Sequence, residues 1–153
     1  EKLSSLKKYD LVFLKNKNND LENILNQLKK NNPQIKIFYT MYKPTNIEKL
    51  NLNRKYLIFS GIGNPNNFKK ILNKNNIQIE DEMIFPDHYS YKKDDIKKIK
   101  KRAKDLDAEI ITTEKDYLRI SEKEREDINF LEINLEIEKE NELINFIKSK
   151  INV

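Results

Sequence analysis

The sequence predicts an α/β fold: a mainly parallel open sheet with helices on both faces, a Rossmann-like lobe, preceded by a separate strand-helix-strand segment. Three observations carry this. Short apolar β-branched runs alternate with stretches whose apolar residues recur at helical spacing. Tyr56 to Ser60 (YLIFS) is apolar on successive residues, the pattern of a strand covered on both faces. Each of three chemically unusual clusters follows a predicted strand, as loops at one edge of a parallel sheet do.

The elements follow in order. Tyr9 to Leu14 (YDLVFL) reads as a buried strand. Leu21, Ile24, Leu25 and Leu28 fall on one helix face, opened near Asn19 or Asp20 and stopped before Pro33. Ile35 to Tyr42 (IKIFYTMY) is a second strand. Residues 44–54 are polar and turn-rich and read as a linker, so the expected division is 1–43, linker 44–54, and an α/β lobe over 55–153.

After the YLIFS strand, Asn64 suits a helix cap and Pro65 the first turn, with Phe68, Ile71 and Leu72 inward. Ile77 to Phe85 reads mostly as strand, with the acidic Glu80-Asp81-Glu82 its weakest part. Lys92 to Leu106 is a helix with a narrow stripe of Ile96, Ile99, Ala103 and Leu106. Its outer face is very basic: Lys92, Lys93, Lys97, Lys98, Lys100, Lys101, Arg102 and Lys104. Ala108 to Thr112 is a strand, and Ile128 to Ile137 another, whose alternation slips at Phe130-Leu131 as at a bulge. Leu143, Ile144, Ile147 and Ile151 mark a closing helix.

Composition narrows the chemistry. The chain has 153 residues, enough to bury a core without covalent staples. It has no cysteine, which excludes disulfides, thiolate metal sites and thiol nucleophiles. One histidine excludes an all-histidine metal centre within the chain. No apolar run approaches ~18 residues, so no membrane span is expected, and with no signal peptide at the start a cytosolic location is the expectation. Lys, Asn and Ile make up 68 of the 153 residues along the whole length, a background preference. The net charge of +5 comes from 30 basic and 25 acidic residues, interleaved, which is weak support for a nucleic-acid footprint.

The scarce residues are the informative ones. Both glycines lie in Gly61-Ile62-Gly63-Asn64-Pro65. Glycine allows a tight turn and close approach to a ligand, and the following helix N-terminus favours an anion. An ordinary strand-to-helix turn requiring positive φ accounts for the same residues. The single histidine lies in Phe85-Pro86-Asp87-His88-Tyr89. Asp87 could orient or charge-tune the His88 imidazole, or His88 could cap the next helix. Thr112, Thr113, Glu114, Lys115 and Asp116, with Arg119, combine hydroxyls, cations and acids suited to a phosphate-bearing ligand, or form a solvated helix start capped by Thr113. No metal site is predicted.

Taken together and in order, GIGNPxxF, FPDH and TTEKDxxR resemble the carboxy-terminal half of the tetraacyldisaccharide 4'-kinases, the lipid A 4'-kinases. The likeness starts at Glu1, includes Leu3 and Lys8-Tyr9-Asp10-Leu11-Val12, and continues through TTEKDYLRI to the terminus. It implies phosphorylation of the 4' hydroxyl of a tetraacyl disaccharide 1-phosphate with ATP and magnesium, peripherally at the cytoplasmic face of the bacterial inner membrane. It implies that residues 1–43 close a kinase lobe whose P-loop part is the partner of this chain. It also implies that His88, with Asp87 beside it, meets a catalytic Asp of that lobe across a cleft. Gly61, Gly63, Asn64, Thr112, Thr113, Glu114, Lys115, Asp116 and Arg119 would face substrate, nucleotide or that lobe.

Two departures stand out. Tyr89 and Ser90 replace a frequent second His and Pro, and Lys92 stands where the family pattern has a helix-capping Thr. The larger one is that this chain has no GxxxxGK[ST]. With Glu1 in place of an initiator Met, the expectation is a piece of a longer protein that is inactive alone. A different reading is a noncatalytic module whose basic helix meets nucleic acid or an anionic membrane. An independent phosphatase- or transferase-like enzyme fits least, for want of a nucleophile motif.

Overall fold

The computed structural model describes residues 3–15 and 21–151. The elements are β1 (Leu11–Lys15), α1 (Leu21–Asn31), β2 (Lys36–Pro44), β3 (Lys55–Ser60), α2 (Pro65–Lys74), β4 (Gln78–Ile84), α3 (Lys93–Asp105), β5 (Glu109–Thr113), α4 (Glu114–Arg119), β6 (Ile128–Leu131), β7 (Ile133–Ile137) and α5 (Glu140–Ile151). The expected opening of α1 at Asn19 or Asp20 lies outside the described residues. The chain forms two compact units, Pro44–Ile133 and Glu1–Lys43 with Asn134–Val153.

The first break falls between Lys43 and Pro44. The second differs from the expected division, because β7 and α5 belong with the amino-terminal segment. The cause is local. The peptide of Glu132 is held on both sides, its N–H by Asn46 Oδ1 at 3.0 Å and its carbonyl by the Thr45 N–H at 3.0 Å. The single strand expected over 128–137 therefore ends at Leu131, and a new strand begins beside β2. What read as a bulge at Phe130-Leu131 is the point where the chain changes sheet.

The expected linker 44–54 also differs. It contains a short 3-10 turn at Ile47–Lys49, buried Asn46 and Leu50, and a contact from the Asn51 N–H to the Tyr56 hydroxyl at 3.0 Å. It is packed structure, polar in sequence because Asn46 satisfies backbone groups.

In the amino-terminal unit, β1 and β2 are parallel, with Leu11 opposite Lys36, and the sheet order is β1-β2-β7. β1 is half-buried and not buried as its apolar run suggests; Phe13 is exposed. In α5 only Leu143 is buried, and Ile144, Ile147 and Ile151 are exposed.

The other unit is a four-stranded, fully parallel sheet in the order β4-β3-β5-β6. All of Tyr56, Leu57, Ile58, Phe59 and Ser60 are buried, as a central strand requires. Tyr56 and Ile58 pack with Phe68 and Leu72 of α2 on one face. Leu57 and Phe59 pack with Ile96, Ile99 and Ala103 of α3 on the other. β4 runs unbroken through its acids because each has a cation: Lys55 on Glu80 at 2.9 Å, Arg102 on Asp81 at 2.7 Å and Lys69 on Glu82 at 2.7 Å. Its register against β3 steps between Tyr56 and Leu57.

Candidate functional site

Because β3, β4 and β5 are parallel, their carboxyl ends share one edge, and the three unusual clusters leave from it. The loop after β4 folds onto the turn after β3: Phe85 N–H donates to Ser60 O at 2.9 Å and His88 N–H to Gly61 O at 3.0 Å. The expected convergence of GIGNP, FPDHY and TTEKD is thus present, wholly within residues 44–133.

The glycines are needed for space, not for positive φ, since neither has one. A Cβ on Gly61 would lie 3.0 Å from Pro86 O, 3.1 Å from Tyr89 Cβ and 3.1 Å from the Tyr91 hydroxyl. A Cβ on Gly63 would lie 3.3 Å from Asp87 Oδ2. The positive φ belongs to His88, at 60°. Its amide also contacts Asp87 Oδ1 at 3.0 Å.

The side chains of the third cluster divide by role. Thr112 is fully buried and donates to Phe59 O at 2.7 Å, so its hydroxyl is engaged within the sheet. Thr113 caps α4, accepting from Asp116 N–H at 3.1 Å. Asp116 is fully buried. Its carboxylate accepts from Gly61 N–H at 3.0 Å, Thr113 Oγ1 at 2.8 Å and Arg119 Nη1 at 3.2 Å. Arg119 Nη1 also reaches Gly61 O at 3.2 Å, and its Nη2 lies 3.0 Å from His88 Nδ1. Asn64 is held as the cap of α2, accepting from Asn67 N–H at 3.0 Å. The groups left facing outward are Asp87, His88, Glu114 and Lys115. His88 has 69% of its side chain exposed, and its Nε2 lies 3.8 Å from Asp87 Oδ2.

His88 does not cap α3. That work falls to Asp95, whose carboxylate accepts from Lys92 N–H at 2.9 Å and from the Tyr89 hydroxyl at 3.1 Å. The Lys92 amide contact, with lesser help from Tyr89 and nearby lysines, holds the Asp95 carboxyl below the usual range. Asp95 thereby compensates for Lys92 at the capping position.

Sequence reading missed Tyr89 and Tyr91. With Phe85 they form an aromatic wall beneath the His88 loop, ring centroids 4.9 to 5.4 Å apart. Tyr91 Oη is buried with no hydrogen-bond partner among the described residues. Burial first, and the Asp116 charge second, push that phenol far above its ordinary value. Three aromatics within seven residues around the single histidine were the available signal. Beside the site, Ile62, Phe68, Ile71, Thr113 and Lys115 help line an apolar cavity of about 230 Å³.

Residues 1–152 match the family model for tetraacyldisaccharide-1-P 4'-kinase. The chain belongs to the tetraacyldisaccharide 4'-kinase family. A relative of that name from Pelagibacter ubique is 40% identical over 145 residues, covering 95% of this chain and 46% of the relative. Another, from Rickettsia akari, is 34% identical over 115 residues, covering 74% of this chain and 33% of the relative. The chain thus spans less than half the length of these relatives. A crystal structure of LpxK from Aquifex aeolicus, described as an "apo" form in complex with ATP, aligns with TM-score 0.53 at 20% identity, over 91% of this chain and 51% of that one. That likeness supports the α/β fold.

A family kinase implies magnesium, and this chain's residues do not fit it. Among the described residues no three His, Asp or Glu side chains cluster to hold a metal ion, and Asp116 is already taken by three donors. Nor is any described helix long and apolar enough to cross a membrane.

Proposed function

We propose that this chain is the carboxy-terminal α/β part of a lipid A 4'-kinase, which transfers the γ-phosphate of ATP to the 4' hydroxyl of a tetraacyl disaccharide 1-phosphate. The observation that carries it is His88, projecting from the one sheet edge where the three family motifs meet. Phosphoryl transfer needs positioning and charge stabilisation more than covalent help from protein. This chain supplies an imidazole on a braced loop, and the P-loop half, our inferred partner, supplies the nucleotide site and the opposing Asp. The sugar hydroxyl attacks phosphorus in line, its proton passes to that Asp, and ADP leaves.

The protein works at the cytoplasmic face of the inner membrane. There the exposed Lys101 and Lys104 of α3, which have no ion pair among the described residues, face anionic lipid.

The test is His88→Ala in a kinase carrying both halves. We expect kcat to fall by up to ~10²-fold, the cost of losing the group that orients the Asp base, with the melting temperature unchanged because Asp95 keeps the cap of α3. Wild-type kcat would remove His88 from the catalytic list.

A further inference from the structure

We propose that Arg119 is a positioning residue that fixes which nitrogen His88 presents to the reaction. The inference rests on the proposed role of His88 and extends it to groups behind the imidazole.

A guanidinium has only donors. With Arg119 Nη2 at 3.0 Å, His88 Nδ1 must accept, so the neutral ring carries its proton on Nε2. Nε2 is then the outward nitrogen and a donor. Asp87 Oδ2 lies 3.8 Å from it, beyond hydrogen-bond reach, leaving that proton free for an incoming acceptor. The acceptor in keeping with the proposed reaction is the opposing carboxylate. His88 therefore orients that base by donation and does not itself take the sugar proton.

Arg119 can impose this because it is anchored from behind. Its side chain is only 21% exposed, and Nη1 is pinned between the buried Asp116 carboxylate and Gly61 O, each at 3.2 Å. Asp116 is itself fixed by the Gly61 amide and the Thr113 hydroxyl. The planar fork gives one nitrogen to the anchor and the other to the ring, a division no ammonium reproduces. The main-chain bond from His88 to Gly61 O closes the circuit, so loop and ring are set by one carbonyl.

His88 is the sole histidine, so a long-range proton–nitrogen correlation spectrum of this chain contains one imidazole. In wild type at a pH where the ring is neutral, we expect a single pattern with the proton on Nε2. Arg119→Met should let the tautomers mix, drawing the two nitrogen shifts together. Arg119→Lys keeps the charge that Asp116 needs, and carries the test if the Met variant does not fold. Its one ammonium cannot hold both Asp116 and His88, so the same convergence is expected. In the two-half kinase, Arg119→Lys should lower kcat about ten- to a hundredfold with KM little changed. It should cost nothing further in a His88→Ala background, because residues acting through one another are not additive. Unchanged His88 shifts in the folded variant, or the same loss with His88 absent, would overturn the proposal. Full activity of His88→Ala alone would instead overturn the functional reading, a result separable from the spectra.

Discussion

The Gly61 N–H donates to the Asp116 carboxylate at 3.0 Å, joining residues 55 positions apart. The carboxylate is fully buried, so this is a charge held in the interior by three donors and not a surface pairing. It ties the end of β3 to the start of α4, and the loop carrying His88 hangs from the same glycine. The geometry of the edge depends on that charge.

Removing the charge should cost much more than a surface ion pair would. In Asp116→Ala the Gly61 amide and the Thr113 hydroxyl lose their acceptor, and Arg119 keeps a largely buried cation with no counter-charge. Breaking a buried pair from one side typically costs 3–5 kcal/mol. Asp116→Asn should be similarly harmful if its amide nitrogen is forced against the Gly61 N–H. Denaturant unfolding measures both, and a loss below ~1 kcal/mol for Asp116→Ala would mean the network adds little.

The two glycines should respond unequally. Neither has positive φ, so alanine brings no backbone strain at either. At Gly61 the new methyl meets a backbone oxygen at 3.0 Å and two tyrosines at 3.1 Å, and the loop must move. Overpacking of this kind costs ~1–3 kcal/mol, and because His88 rides on that loop, kcat of a two-half kinase should fall too. At Gly63 the neighbour is the end of the Asp87 side chain at 3.3 Å, which can rotate away. Gly63→Ala should therefore stay within ~0.5 kcal/mol of wild type, as surface changes do. Thermal melts of both variants decide it; equal losses would contradict the packing argument.

What the sequence revealed and what it hid have physical causes. β3 was legible because a strand covered on both faces must be apolar at every position, as Tyr56 to Phe59 are. The shared edge was legible because parallel strands place all their carboxyl ends together. The sheet change at Glu132 was not, since it depends on Asn46, 86 residues away, satisfying one backbone amide. Asp116 and Thr112 looked like ligand contacts because a buried polar side chain and an exposed one are spelled alike. Only the three-dimensional partners, Gly61 N for one and Phe59 O for the other, separate bracing residues from presenting ones.

Tyr56 gives a pH prediction. Its hydroxyl accepts from Asn51 N–H at 3.0 Å and donates to Asn51 O at 3.3 Å inside the core. Burial first, then the Glu109 charge, push its pKa up to about 12 from the ordinary 10.0. The folded state thus holds the phenolic proton more tightly than the unfolded chain. Stability from this source is intact below pH 10.0 and falls as pH rises from there to about 12. Tyr56→Phe should be less stable at neutral pH by about 1 kcal/mol for the lost hydrogen bonds. The gap should narrow across the alkaline window, because Phe has no proton to lose. Denaturant midpoints of the two proteins from pH 7 to 12 test it, and a constant gap would refute the assigned cause.

The chain on its own should not phosphorylate the disaccharide. A phosphate loop needs glycine-rich backbone whose amides are free to face the oxygens. This chain has two glycines. The Gly61 amide is already bonded to Asp116, and the space above Gly61 is filled by Pro86, Tyr89 and Tyr91. At the start of α2, which follows the glycines, the Asn67 amide is capped by Asn64, and one helix N-terminus does not make a triphosphate cradle. We therefore expect no γ-phosphate transfer above background from this chain, and no saturable nucleotide binding by calorimetry at millimolar ATP. Mixing it with the P-loop half should restore turnover, and His88→Ala in the mixture should abolish most of that gain. Turnover by the chain alone would mean that the nucleotide is held by residues other than a phosphate loop. The outward-facing Lys115 and Glu114 beside the 230 Å³ cavity would then be the first to replace.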